Sequence, residues 1–148
     1  MAQPTIKSAA ELRATIAAAE AERARKRAEE QAEAEQRRRT EVEAMKAETL
    51  TEQRLVRIRT VIEQAIARGA IEVELMRFPV ALTSDRGRAI NAGDARWPDT
   101  LLGVPSELVA IWRERFKDKG YQLKSYITAF PEGVPGEAAL ILSWAGSD

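Results

Sequence analysis

Residues 69–79, GAIEVELMRFP, are where this chain changes from helix to sheet. No Pro or Gly occurs between Ser8 and Arg68. Gly69 then supplies the residue type that ends a helix in the left-handed conformation. Beyond it Ile71, Val73 and Leu75 alternate with Glu72 and Glu74, the period of a strand with one face in water. The strand runs on through Phe78 to Pro79. Proline cannot donate to a ladder, so Pro79 ends the pairing or places the strand at an edge. Val80, Ala81 and Leu82 read as a bent extension.

Upstream, Ser8 precedes Glu11 by three positions, the capping-box spacing. The residues that follow are rich in Ala, Glu, Arg, Gln and Lys, the strong helix formers. The spacing predicts one helix, or two nearly collinear ones, from about residue 9 to residue 68, roughly 90 Å if straight. Thr49-Leu50-Thr51 is its soft point. Ala10, Ala14, Ala17, Ala21, Ala24 and Ala28 recur at heptad spacing, a coiled-coil pattern. The same register then reads Gln31, Glu35 and Arg38 before Val42 and Met45, so the seam is weak and polar in its middle. A homo-oligomer paired through this helix, a free helix and a helix docked in a larger assembly are all open at this point. The pairs Glu22/Lys26, Glu33/Arg37 and Glu35/Arg39 each add about 0.2–0.5 kcal/mol of local support. Leu55, Ile58, Val61, Ile62, Ala65 and Ile66 then form a broad apolar face. These shifts place an extended charged helix at residues 1–49 and a small domain at residues 50–148.

Downstream, Pro105 suits the first turn of a helix, with Glu107 favourable to its dipole. Leu108, Ile111, Trp112 and Phe116 supply the apolar stripe and Gly120 the stop. Tyr121 to Phe130 reads as a strand, PEGVPG as a turn, and Ala138 to Ala145 as a buried strand pairing antiparallel with it. The expected fold class is α+β: a long N-terminal charged helix followed by a small antiparallel sheet of about three strands packed by two helices.

Composition narrows the functions. The 148 residues hold 23 basic and 23 acidic side chains, so there is no global electrostatic case for nucleic acid or an anionic membrane. Basic clusters at Arg23 to Arg27 and Arg37 to Arg39 are flanked by glutamates that cancel their field. There is no Cys and no His. This removes disulfides, thiolate nucleophiles, the usual zinc sites and the commonest general base. No run approaches the roughly 18 apolar residues of a membrane span, and the N-terminus lacks the apolar core of a leader. The expectation is a soluble cytoplasmic protein with no cofactor, no metal and no catalytic residue.

Thr83 to Gly103, TSDRGRAINAGDARWPDTLLG, carries the candidate site. It is long for a connector and rich in residues that a connector does not need. Asp85, Arg86, Arg88, Asn91, Arg96 and Trp97 are the candidate partner-binding residues, since Trp and Arg dominate binding hot spots. The structural alternatives are an Asp85–Arg88 ion pair that holds the loop and a Trp97 packed on the core, with Leu101 and Leu102 pinning it. A nucleic-acid reading would use Arg86, Arg88 and Arg96 on phosphates, with Trp97 or Tyr126 stacked on a base. Asp85, Asp94 and Asp99 oppose it. The same aspartates would be the acids of an enzyme, but their spacing matches no known pattern. DRGRAIN at 85–91, Trp97-Pro98, Thr100-Leu101, Gly103, Phe130-Pro131, Gly133 and Pro135-Gly136 resemble a family of short uncharacterised proteobacterial proteins over about residues 70–145. The resemblance implies a shared fold and no particular activity. A non-enzymatic interaction or adaptor module with a protein partner is the expected function, with a nucleic-acid-binding accessory protein as the alternative.

Overall fold

The computed structural model describes residues 5–146; the first four residues of the stretch read for a leader, and the last two of the chain, lie outside it. The chain divides into two compact units, the first ending at Glu41 and the second starting at Val42.

Helix α1 spans Ala9–Ala47 and has no buried residue. Leu12 and Ile16, its apolar pair, are 50% and 56% exposed. What holds residues 9–41 of α1 is therefore local, whereas Met45, in the second unit, packs against the core. Ser8 Oγ accepts the N–H of Glu11 at 3.1 Å, the expected cap. Arg39 meets Glu35 at 2.8 Å, as the spacing predicts. Glu22, however, pairs with Arg25 rather than Lys26, and Arg25 also reaches Glu29. One guanidinium thus ties three positions along the helix. It holds the Glu22 carboxyl below its ordinary range. That contribution is complete at neutral pH and is lost as pH falls through the lowered value.

In the second unit the helical stretch breaks at residues 48–51 and resumes as α2, Glu52–Ala67. Thr51 is the reason: its side chain accepts the N–H of Arg54 at 3.1 Å, starting a new helix. The Leu50 N–H is satisfied by Glu107 Oε2 at 2.7 Å. At the other end Gly69, at φ 77°, closes a Schellman turn: Gly69 N–H donates to Ile66 and Ala70 N–H to Ala65.

Three antiparallel strands follow: β1 (Glu72–Pro79), β2 (Gln122–Ala129) and β3 (Glu137–Ser143). Their order is β1-β3-β2, which puts Pro79 on an edge strand as its chemistry requires. Val73 and Phe78 are both buried although five positions apart. A bulge between Glu74 and Met76 makes this possible by adding a residue to β1. The core face carries Val73, Phe78, Leu123, Ala138, Leu140 and Leu142. Helix α2, through Ala65, and helix α4 (Gly103–Ile111), through Val104, Leu108 and Val109, cover it. Sheet and helices are thus those expected, and the last two strands form the antiparallel hairpin. After Ile111 the helix loosens into a π turn over Trp112–Phe116 and ends in a 3-10 turn before Gly120. Trp112 Nε1 donates to Tyr121 O at 2.9 Å, and Phe116 meets Tyr121 edge to face at 5.3 Å, so this irregular end is anchored to the start of β2. Trp144 ties the end of β3 back, its Nε1 donating to Ala70 O at 3.0 Å. No helix among the described residues is long and apolar enough to cross a membrane.

This division of support predicts unequal sensitivity. Leu140 is fully buried at the centre of the sheet, so Leu140→Ala costs about 2–5 kcal/mol. Leu12→Ala on α1 changes stability by about 0.5 kcal/mol or less. Urea unfolding followed by tryptophan fluorescence separates the two.

Candidate functional site

The segment between β1 and α4 is closed at its base like a purse. Ser84 N–H donates to Thr100 O at 2.7 Å and Leu102 N–H to Leu82 O at 2.8 Å, flanking a bridge between Thr83 and Leu101. It is not the plain irregular loop its polarity suggests. Val80–Leu82 forms a 3-10 turn, Arg88–Ala92 a short helix, α3, and Trp97–Thr100 a second 3-10 turn. Ala89 and Ile90 are buried, and Ile90 belongs to the core. Sequence reading missed this anchor, because two apolar residues among turn formers give no period.

Thr83 organises the start of the segment. It is 5% exposed; its hydroxyl donates to Val80 O at 2.7 Å and accepts the Gly87 N–H at 2.7 Å. Gly87 can be nothing else: it sits at φ 80°, and a Cβ there would lie 2.8 Å from Val80 Cγ1. Asp85 completes the turn. Its Oδ1 accepts the Gly87 N–H at 3.1 Å and its Oδ2 the Ala89 N–H at 2.9 Å. The expected Asp85–Arg88 ion pair is therefore corrected: among the described residues no such pair forms, and the carboxylate bonds to backbone instead. The physical reason is that the turn through Arg86 and Gly87, both at positive φ, aims two amides at Asp85.

The remaining candidates separate. Trp97 is half-buried and packs against the core, and Leu101 is buried while Leu102 is half-exposed. Asp94 accepts the Arg96 N–H at 2.9 Å, and the Arg96 side chain is exposed. Asp99 pairs with Arg113 at 2.9 Å. Asp85, Asp94 and Asp99 each have a local partner of their own, and among the described residues no group of three possible ligands could hold a metal ion.

Asp85, Arg86, Arg88 and Asn91 do come together. They line an open concavity of about 540 Å³ whose other walls are Val80, Ala81, Val134 and Pro135. The apolar contributors come from the 3-10 turn after β1 and from the β2–β3 turn. Val80 N–H donates to Gly136 O at 3.0 Å, which brings the two turns side by side. No local pattern could have placed Val134 and Pro135 beside the Arg pair. Arg86 and Arg88 are exposed and make no ion pair among the described residues, whereas Arg77 meets Glu74 at 2.9 Å. Arg86 is also held at φ 57°, in the left-handed region.

Gly87→Ala is expected to destabilise the protein by about 2–4 kcal/mol, combining left-handed strain with overpacking on Val80. Gly93→Ala is the control: it has positive φ but open space around its Cβ, so it should cost about 1–2 kcal/mol. Equal thermal shifts for the two would show that the Val80 contact carries no weight. No protein-family model, curated protein or solved structure matches this chain.

Proposed function

We propose that the chain is a non-enzymatic protein-interaction module, an adaptor, whose binding surface is the concavity between the Asp85–Asn91 turn and the β2–β3 turn. One observation carries the reading: Arg86 and Arg88, exposed and without ion pairs among the described residues, share a pre-shaped cleft with apolar side chains. Arginine beside apolar surface is the composition of a binding hot spot. Arg96 and Trp97 do not line the cleft. In this reading Trp97 supports the segment from beneath and Arg96 stands outside the primary contact.

The charged helix is the natural spacer or tether of such a module, since surface ion pairs support residues 9–41 without a buried side chain. Its alanine seam would serve a second copy or a larger assembly only weakly, because alanine buries little area. The cytoplasm is the proposed compartment, and the resemblance of residues 70–145 to a family of short proteobacterial proteins would extend the same role to them. Nucleic acid is the weaker partner. Of the two aromatics that would stack on a base, Trp97 packs on the core, and the exposed Tyr126 does not line the cleft.

Capture from host-cell extract, with and without nuclease, tests this. The parent chain should recover the same protein in both conditions, and Arg86→Glu/Arg88→Glu should lose it by tenfold or more, about 1.4 kcal/mol. Recovery that vanishes with nuclease, or that ignores the charge reversal, refutes the proposal.

A further inference from the structure

We propose that the occupant of this cleft is an extended segment of the partner in which an apolar side chain is flanked by carboxylates; this rests on the interaction-module reading above. The volume, about 540 Å³, lies within the range of about 300–1,000 Å³ usual for ligand pockets. A helix about 10 Å across would fill it with about one turn, too short to present an i, i+4 stripe. An extended chain fits the same space with alternate side chains directed in and out.

The walls specify what that chain carries. Val80, Ala81, Val134 and Pro135 supply the cleft's apolar lining, and Val134 remains 59% exposed. An aliphatic side chain seated there removes apolar surface from water on both sides. Arg86 and Arg88 supply planar, forked donors that match carboxylates in pairs. Asp85 forms no ion pair with them among the described residues, because its oxygens accept the Gly87 and Ala89 amides, and the two guanidiniums outnumber its single charge in the lining. The exposed Asn91 amide can donate to and accept from a peptide backbone.

The backbone is set in advance for this task. Arg86 and Glu132 are the non-glycine residues with positive φ among the described residues, at 57° and 55°. Arg86 lines the cleft, and Glu132 lies two positions before Val134, which lines it too. Strain of this kind concentrates at ligand clamps, where surrounding contacts enforce it. RNA fits less well, because among the described residues no aromatic side chain lines the cleft to stack on a base.

The test is fluorescence anisotropy on the full chain with a labelled peptide bearing a central leucine flanked by aspartates. Comparison probes are the same peptide with serine for leucine, its lysine counterpart and a single-stranded RNA. The variants are Arg86→Gly, which removes a guanidinium while suiting positive φ, Arg88→Gln, and Val134→Ser at an exposed position. The acidic leucine peptide should bind best. Each variant, and the leucine-to-serine change, should weaken it by about tenfold, with thermal midpoints kept at the parent's. Amide shifts on binding should map to residues 80–91 and to Val134. Equal binding of the lysine peptide, preferential binding of RNA, shifts elsewhere, or a self-associated chain that the Arg variants dissociate each overturns the proposal. No peptide binding, together with continued Arg86- and Arg88-dependent capture of a nuclease-resistant protein, overturns the extended occupant alone. Loss of both overturns the interaction module as well.

Discussion

Burial of β3 is the constraint on which the second unit depends. Residues Ala138 to Ser143 are buried on both faces of the sheet. Buried backbone N–H and C=O groups need partners, and a strand satisfies them only when both edges are paired. β1 and β2 must therefore flank β3. The chain leaving β1 then has to cross the start of β3 to reach the β2 side. The 3-10 turn at Val80–Leu82 makes that crossing and bonds to Gly136 on the way. The cleft follows from this topology. It lies where the crossing turn, the Asp85–Asn91 segment and the hairpin turn meet at one end of the sheet.

The two units are stabilised by different physics. The second buries an apolar core, so its tolerance to substitution follows volume and shape. The described part of the first buries nothing and relies on propensity, a Ser8 cap and exposed ion pairs. Exposed pairs are individually weak and screened by salt. Many of them distributed along a chain of good helix formers can still keep it helical. Such a helix makes few demands on its surroundings.

Much of this architecture was legible in the sequence because it is encoded locally. Gly69 follows the last apolar turn as a left-handed stop, Glu72 and Glu74 mark a wet strand face, and Pro79 marks an edge. The break at Thr49–Thr51 was visible as a soft point, but a cap competes with helix continuation, and Glu107, fifty-seven residues away from Leu50, helps decide the outcome. The β1 bulge was hidden, since Leu75 and Met76 are both apolar and either fits a regular alternation. The candidate site was half legible. Arg86, Arg88 and Asn91 are conspicuous in a turn-rich stretch. Val80, Val134 and Pro135 reach them only through the strand order, which no periodicity reports.

Asp85 shows why charge pairing is a poor guide in a tight turn. An aspartate one and three residues from arginines invites an ion-pair reading. Exposed pairs of that kind gain little against water. Backbone amides in a turn are fixed, partly buried and costly to leave unpaired. Two of them aimed at one carboxylate outcompete a flexible guanidinium. The arginines are then left exposed, one of them on a backbone whose left-handed conformation glycine would adopt with less strain. The turn thus satisfies its backbone amides with its acid and leaves Arg86 and Arg88 without ion pairs among the described residues, beside the apolar side chains of the cleft.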